Sequence, residues 1–289
     1  MIDTPYARLA AAATTTRAGE CALSHLDLGA GEPLLLIHGG HGGWYHWMRN
    51  VEAFAAHARV IAPDLPGFGR STTPQREFSL AVAADELFAL LDRLGIGETD
   101  IAAFSFGACV AAQMAVQSPQ RVRSLAIVNP AGMGPVSARL ADAQASASRA
   151  AKAEGLVAGV RVSLAQIMLS DAALVTPGLC RVVADHVRAT RVLTRPIARS
   201  NPTRGLLERV RAPVWLALGS RDPHQAHELE ARASFIEALS TRHAAALYPA
   251  AHWLPFEAAG WFNENLGAFL TRVRGGRLAP PSNEPGFFR

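Results

Sequence analysis

Short apolar runs alternate along this chain with longer stretches whose apolar residues recur at helical spacing. That alternation restricts the chain to βαβ units around a mostly parallel sheet. Residues 33–37, 59–64, 100–104, 124–129, 214–218 and 244–248 read as strands, and 80–94, 106–117 and 261–273 as helices. The pattern breaks at 131–202, where no strand-like run occurs and alanine and arginine dominate. This segment reads as an inserted helical cap, its helices joined at Gly155, Pro177-Gly178 and Pro196. The expected organisation is an α/β core over 1–130 and 203–289, with the cap at 131–202 and a loose Gly- and Pro-rich tail at 275–289.

At 289 residues with 49% hydrophobic content, the chain can bury one large core. The net charge of +4 comes from scattered arginines, not from a run or stripe, which argues against a nucleic-acid partner. Cys21, Cys109 and Cys180 are far apart and odd in number, so neither a disulfide framework nor a zinc site is expected. The N-terminus lacks a basic start followed by an apolar core, and no stretch is long enough to span a membrane. A cytoplasmic protein without cofactor, acting on a small molecule, is expected; a homodimer is compatible with the sequence.

In Ile101-Ala-Ala-Phe-Ser-Phe-Gly-Ala-Cys-Val110 an apolar strand runs into Ser105 and a helix follows without a loop. A serine at such a turn is strained and raises its hydroxyl above the sheet, and its neighbours two positions away must be small. Here they are Ala103 and Gly107, a departure by one methyl group from G-x-S-x-G. A helix N-cap serine is the plain alternative.

After the strand 33–37 comes His38-Gly-Gly-His-Gly-Gly43. Glycines let the backbone turn N–H groups toward a ligand, and an acyl-transfer site needs two such donors for the developing oxyanion. Gly40 and Phe106 are the candidates. Asp222, in Gly-Ser-Arg-Asp222-Pro, lies just past a strand end, while the rival acid position holds Asn129, which carries no charge. His252 follows the last strand, and an imidazole there can take the serine proton and return it to a leaving group. His224, His227 and His243 read as surface residues. Gly39, His46 and Trp253 are candidate substrate-binding residues, and His38 reads as structural.

The order Ser105, Asp222, His252, each at a strand end, is that of the α/β hydrolases. The chain resembles that superfamily over nearly its whole length, most visibly in Arg59-Val-Ile-Ala-Pro-Asp-Leu-Pro-Gly-Phe-Gly-Arg-Ser71 and His252-Trp-Leu-Pro-Phe-Glu257. Within it, Arg49-Asn50 and Asp171-Ala-Ala-Leu-Val-Thr176 are similar to the capped meta-cleavage-product hydrolases, which cut carbon–carbon bonds in vinylogous diketones. The resemblance implies an α/β-hydrolase fold and a Ser105–His252–Asp222 triad. Phe104, His46 and Val183 stand where that group carries polar side chains for its acidic dienol substrate. These departures point to a less polar ester or thioester, cleaved through an acyl-enzyme. Carbon–carbon hydrolysis is the alternative within enzymes, and a ligand-binding protein with little turnover the alternative outside them.

Overall fold

The computed structural model describes residues 3–225, 228–239 and 243–275. Apart from Gly275, the expected tail lies outside the described residues, as does His227. Eight strands form one sheet in the order β1-β2-β4-β3-β5-β6-β7-β8. They are β1 (Thr14–Ala18), β2 (Cys21–Leu28), β3 (Pro33–Ile37), β4 (Arg59–Pro63), β5 (Thr99–Phe104), β6 (Val122–Val128), β7 (Val214–Gly219) and β8 (His243–Tyr248). From β4 to β8 all neighbours run parallel; β2 is antiparallel to both β1 and β4. This is the α/β-hydrolase sheet expected, with helices on both faces.

The central strands are apolar on both faces because helices cover both. Leu35, Ile37, Ile101, Leu125 and Leu216 point into one apolar layer. Their alternates Leu34, Leu36, Ala102, Ala126 and Trp215 point into the other. The helix Leu80–Arg93 starts where Ser79 Oγ accepts the Val82 N–H, satisfying a donor that has no partner inside the helix. The helix Phe106–Gln117 presents Gly107, Ala108, Ala111 and Ala112 and so lies close against the sheet.

The hairpin β1–β2 and the helix Asp3–Ala12 are additions to the elements read from sequence. β1 is a polar edge strand, exposed along most of its length, so it lacks the apolar alternation that marks a strand. Its pairing depends on a tight turn in which Gly19 has a φ of +54°. Glu86, from a distant helix, accepts the N–H groups of Glu20 and Cys21 at 3.0 Å each.

Between β6 and β7 the chain is helical: Ala138–Glu154, Leu156–Ser163, Pro177–Ala189, Thr194–Arg199 and Pro202–Leu207. Gly155 breaks the first pair with a φ of +92°, and Pro177 opens its helix behind the cap Thr176. Pro196 departs from the expected joint. It sits inside the first turn of Thr194–Arg199, where a missing N–H costs nothing, and the break falls before Thr194. Residues Leu164–Met168 form a wide π turn. No helix of the described residues is long and apolar enough to cross a membrane.

Candidate active site

Ser105, Asp222, His252, Gly39 and Gly40 each follow the carboxyl end of a parallel strand, the edge where open α/β sheets place their ligands. Ser105 follows β5 with φ 53° and ψ −118°, a conformation costly for any residue with a side chain. Its surroundings hold it there. The Ser105 N–H donates to the Val128 carbonyl at 3.0 Å, and its own carbonyl accepts from Ala108 and Ala131. Ala103 faces the apolar layer, where its methyl group is accommodated.

Gly107 has no such latitude. A Cβ there would lie 2.5 Å from the His38 carbonyl oxygen and 2.6 Å from that of Ile37. Gly107→Ala is therefore expected to destabilise the protein by about 1–3 kcal/mol through backbone displacement. Thermal unfolding checks this; an unchanged midpoint would show that the helix can shift freely.

His252, on the loop after β8, joins the other two groups. The Ser105 hydroxyl donates to His252 Nε2 at 2.9 Å, and His252 Nδ1 donates to Asp222 Oδ2 at 2.8 Å. Asp222 is fully buried and His252 nearly so. Burial alone would favour a neutral Asp222 carboxyl, but His252 and His224 outweigh it and hold the group well below the usual carboxylate range. Burial lowers the His252 pKa, and the Asp222 charge only partly restores it. Asn129 braces this loop instead of supplying charge. Its Nδ2 donates to the carbonyls of Ala251 and His252, and its Oδ1 accepts the Gly219 N–H at 2.8 Å.

His224, read from sequence as a surface residue, is part of this cluster. Both its backbone N–H (2.8 Å) and its Nδ1–H (3.0 Å) donate to Asp222 Oδ1. Its ring stacks on that of His252, with centroids 3.9 Å apart. A histidine two residues beyond an acid carries no special signal in one sequence. Among the described residues, Asp222, His224 and His252 are also the one group whose donor atoms, within 4.8 Å of one another, could hold a metal ion. These donors are already engaged with each other and with Ser105.

Gly40 and Phe106 face each other at the cavity wall beside Ser105; a Cβ on Gly40 would lie 3.6 Å from that of Phe106. Neither N–H has a protein acceptor among the described residues, so both are free to donate. His38 is buried; its Nδ1 donates to the Gly39 carbonyl at 2.7 Å and its Nε2 accepts the Leu65 N–H at 2.9 Å. Burial drives its pKa down to about 3, so it remains neutral.

The Gly39 N–H is spent on His46 Nδ1 at 3.1 Å, and Gly39 packs against Phe104 and Ser105 without reaching the cavity. His46 and Trp253 do line the cavity. They hold each other, because Trp253 Nε1 donates to the His46 carbonyl at 2.8 Å. The cavity measures about 460 Å³ and lies between the strand ends and the helical segment, walled by Leu140, Val160, Leu164, Ile167 and Val183. Such a group of hydroxyl, imidazole and carboxylate can generate a serine nucleophile and protonate a leaving group.

A family model for the alpha/beta hydrolase fold matches residues 32–253. The chain belongs to the α/β-hydrolase fold family. Over 111 residues it is 39% identical to the 2-hydroxymuconate semialdehyde hydrolase of Pseudomonas sp. (strain CF600), covering 37% of this chain and 39% of that protein. Over 104 residues it is 41% identical to the dihydrolipoyllysine-residue acetyltransferase component of the acetoin cleaving system of Pseudomonas putida, covering 36% of this chain and 28% of that one. Each match thus spans well under half of the curated relative. Solved α/β hydrolases superpose over nearly the whole chain. A meta-cleavage product hydrolase from Pseudomonas fluorescens IP01 does so with a TM-score of 0.71 at 21% identity, over 90% of this chain and 98% of that one. The naproxen esterase of Bacillus subtilis has a TM-score of 0.71 at 20% identity, over 92% of this chain and 96% of that one.

Proposed function

We propose that this α/β hydrolase cleaves carboxylic esters or thioesters through an acyl-enzyme intermediate. The observation that carries this reading is the hydrogen-bonded series Ser105–His252–Asp222 opening onto an apolar cavity. His252 Nε2 takes the hydroxyl proton as Ser105 Oγ bonds to the acyl carbon. The N–H groups of Gly40 and Phe106 receive the oxyanion, each worth about 3–4 kcal/mol in the transition state. The imidazolium then protonates the departing alcohol or thiol. Water, deprotonated by the same imidazole, attacks the acyl-enzyme and releases the acid. Asp222 stabilises the imidazolium throughout, and residues 131–202 act as a cap that keeps bulk water from the intermediate.

Hydrolysis of a carbon–carbon bond is the second reading, and the likeness to the 2-hydroxymuconate semialdehyde hydrolase favours it. The site's own walls favour the ester. Phe104 and Val183 bring apolar groups to the cavity, and His46 spends Nδ1 on Gly39. Short acyl nitrophenyl esters are expected to be hydrolysed faster than dienol diketones are bleached, with labelling by a fluorophosphonate. Because burial keeps His252 neutral, kcat/KM should hold its plateau to below pH 6.5. Faster bleaching of the dienol would reverse the order of the two readings.

A further inference from the structure

Apolar side chains dominate the cavity wall, with Gln144, Ser148 and Ser163 among them, and one short helix brings arginines to it. Thr194–Arg199 turns Thr194, Arg195, Ala198 and Arg199 toward the cavity, and the two arginines, four residues apart, share a face. Both are exposed at its outer part. Neither guanidinium has a hydrogen bond or an ion pair within the described residues. No described aspartate or glutamate lines the cavity at all. Elsewhere Arg59 pairs with Asp27, Arg121 with Asp92 and Arg274 with Asp100, whereas exposed arginines such as Arg17, Arg93 and Arg139 have no such partner among the described residues. What distinguishes Arg195 and Arg199 is that both face one cavity lined by no described carboxylate.

Their position relative to the chemistry is defined. Thr194 adjoins the oxyanion loop, its Oγ1 lying 3.0 Å from where a Gly40 Cβ would be. Arg195 is near enough to His41, on the same loop, to add to the effect of burial in lowering that imidazole's pKa. From Thr194 to Arg199 the helix rises about 7.5 Å. The candidate nucleophile and the paired positive charge therefore line one cavity.

We infer that the substrate is an ester or thioester whose chain carries a carboxylate or similar anion away from the scissile carbonyl, held by Arg195 and Arg199. Planar guanidiniums meet carboxylates with two parallel N–H donors, which gives direction as well as charge. The apolar wall takes the intervening methylenes. This inference rests on the ester-hydrolase reading and adds the substrate's charge to it.

The test compares the mono-4-nitrophenyl ester of a straight-chain six-carbon dicarboxylic acid with the same ester methylated at its free carboxyl. In wild type, kcat/KM is expected to favour the anionic ester about tenfold at low salt, screening at the exposed mouth keeping the factor modest. The ratio should collapse toward one in Arg195→Gln/Arg199→Gln and in 1 M salt. Binding needs no turnover: on Ser105→Ala protein, calorimetry should show the anionic ester bound about tenfold more tightly, with the difference lost when both arginines are replaced. Equal affinities, or tighter binding of the methylated ester, would overturn the inference whatever the turnover shows. Absence of turnover and of fluorophosphonate labelling, with the anionic preference in binding intact, would instead overturn the ester-hydrolase reading and leave the anion site standing.

Discussion

Ser105→Ala is expected to lower kcat/KM for a nitrophenyl ester by about 10⁴- to 10⁶-fold and to abolish fluorophosphonate labelling. The loss should be this large because no neighbouring hydroxyl can substitute. Ser105 Oγ is the one hydroxyl within hydrogen-bond reach of His252 Nε2 among the described residues. The fold should be spared. The strained backbone at position 105 is held by main-chain bonds to Val128, Ala108 and Ala131, which alanine leaves in place. An unchanged thermal midpoint together with lost activity would separate chemistry from folding. If the variant is labelled and turns over as well as wild type, the nucleophile lies elsewhere and the proposed mechanism fails.

Asp222→Asn should cost about 10⁴-fold in kcat, and the surroundings of this carboxylate explain why the loss should be complete. His224 donates twice to the Oδ1 position, from its backbone and from Nδ1. An asparagine must therefore place its carbonyl oxygen there and turn its NH₂ toward His252. His252 Nδ1 would then have to accept, its proton would move to Nε2, and no lone pair would remain for Ser105. Steady-state kinetics on one ester decides the point. A loss smaller than about a hundredfold would mean that the asparagine sits the other way round and that His224 does not orient the acid.

Much of this site was legible before any coordinates because its residues are tied to strand ends. A buried run such as 100–104 announces a strand, and whatever follows it must sit at the sheet's edge. Hence Ser105, Asp222 and His252 could be named from position and chemical type, and Asn129 could be set aside as an acid. His224 was not legible because its role depends on a ring stack and a shared carboxylate, neither of which leaves a spacing. The edge strand at 14–18 was missed for a different reason. An exposed polar edge strand pairs through backbone groups that every residue carries, and its apolar pattern is blank. The facing of Arg195 and Arg199 depends on how a short helix is rotated against the core, which Thr194 and its contact with the glycine loop determine.

The π turn at Leu164–Met168 has a bearing on how a substrate gets in. Ile167 and Met168 end this turn, so their carbonyls have no partner within it, and they accept the N–H groups of His252 and Trp253 at 3.2 and 2.8 Å. Glu257 fastens the next residues, Ser170 and Asp171, to the same place. The imidazole loop and this shoulder are thus a single piece, and a door hinged there would disarm the enzyme each time it opened. Any opening that leaves these bonds intact must come from a part of the rim away from Leu164–Met168.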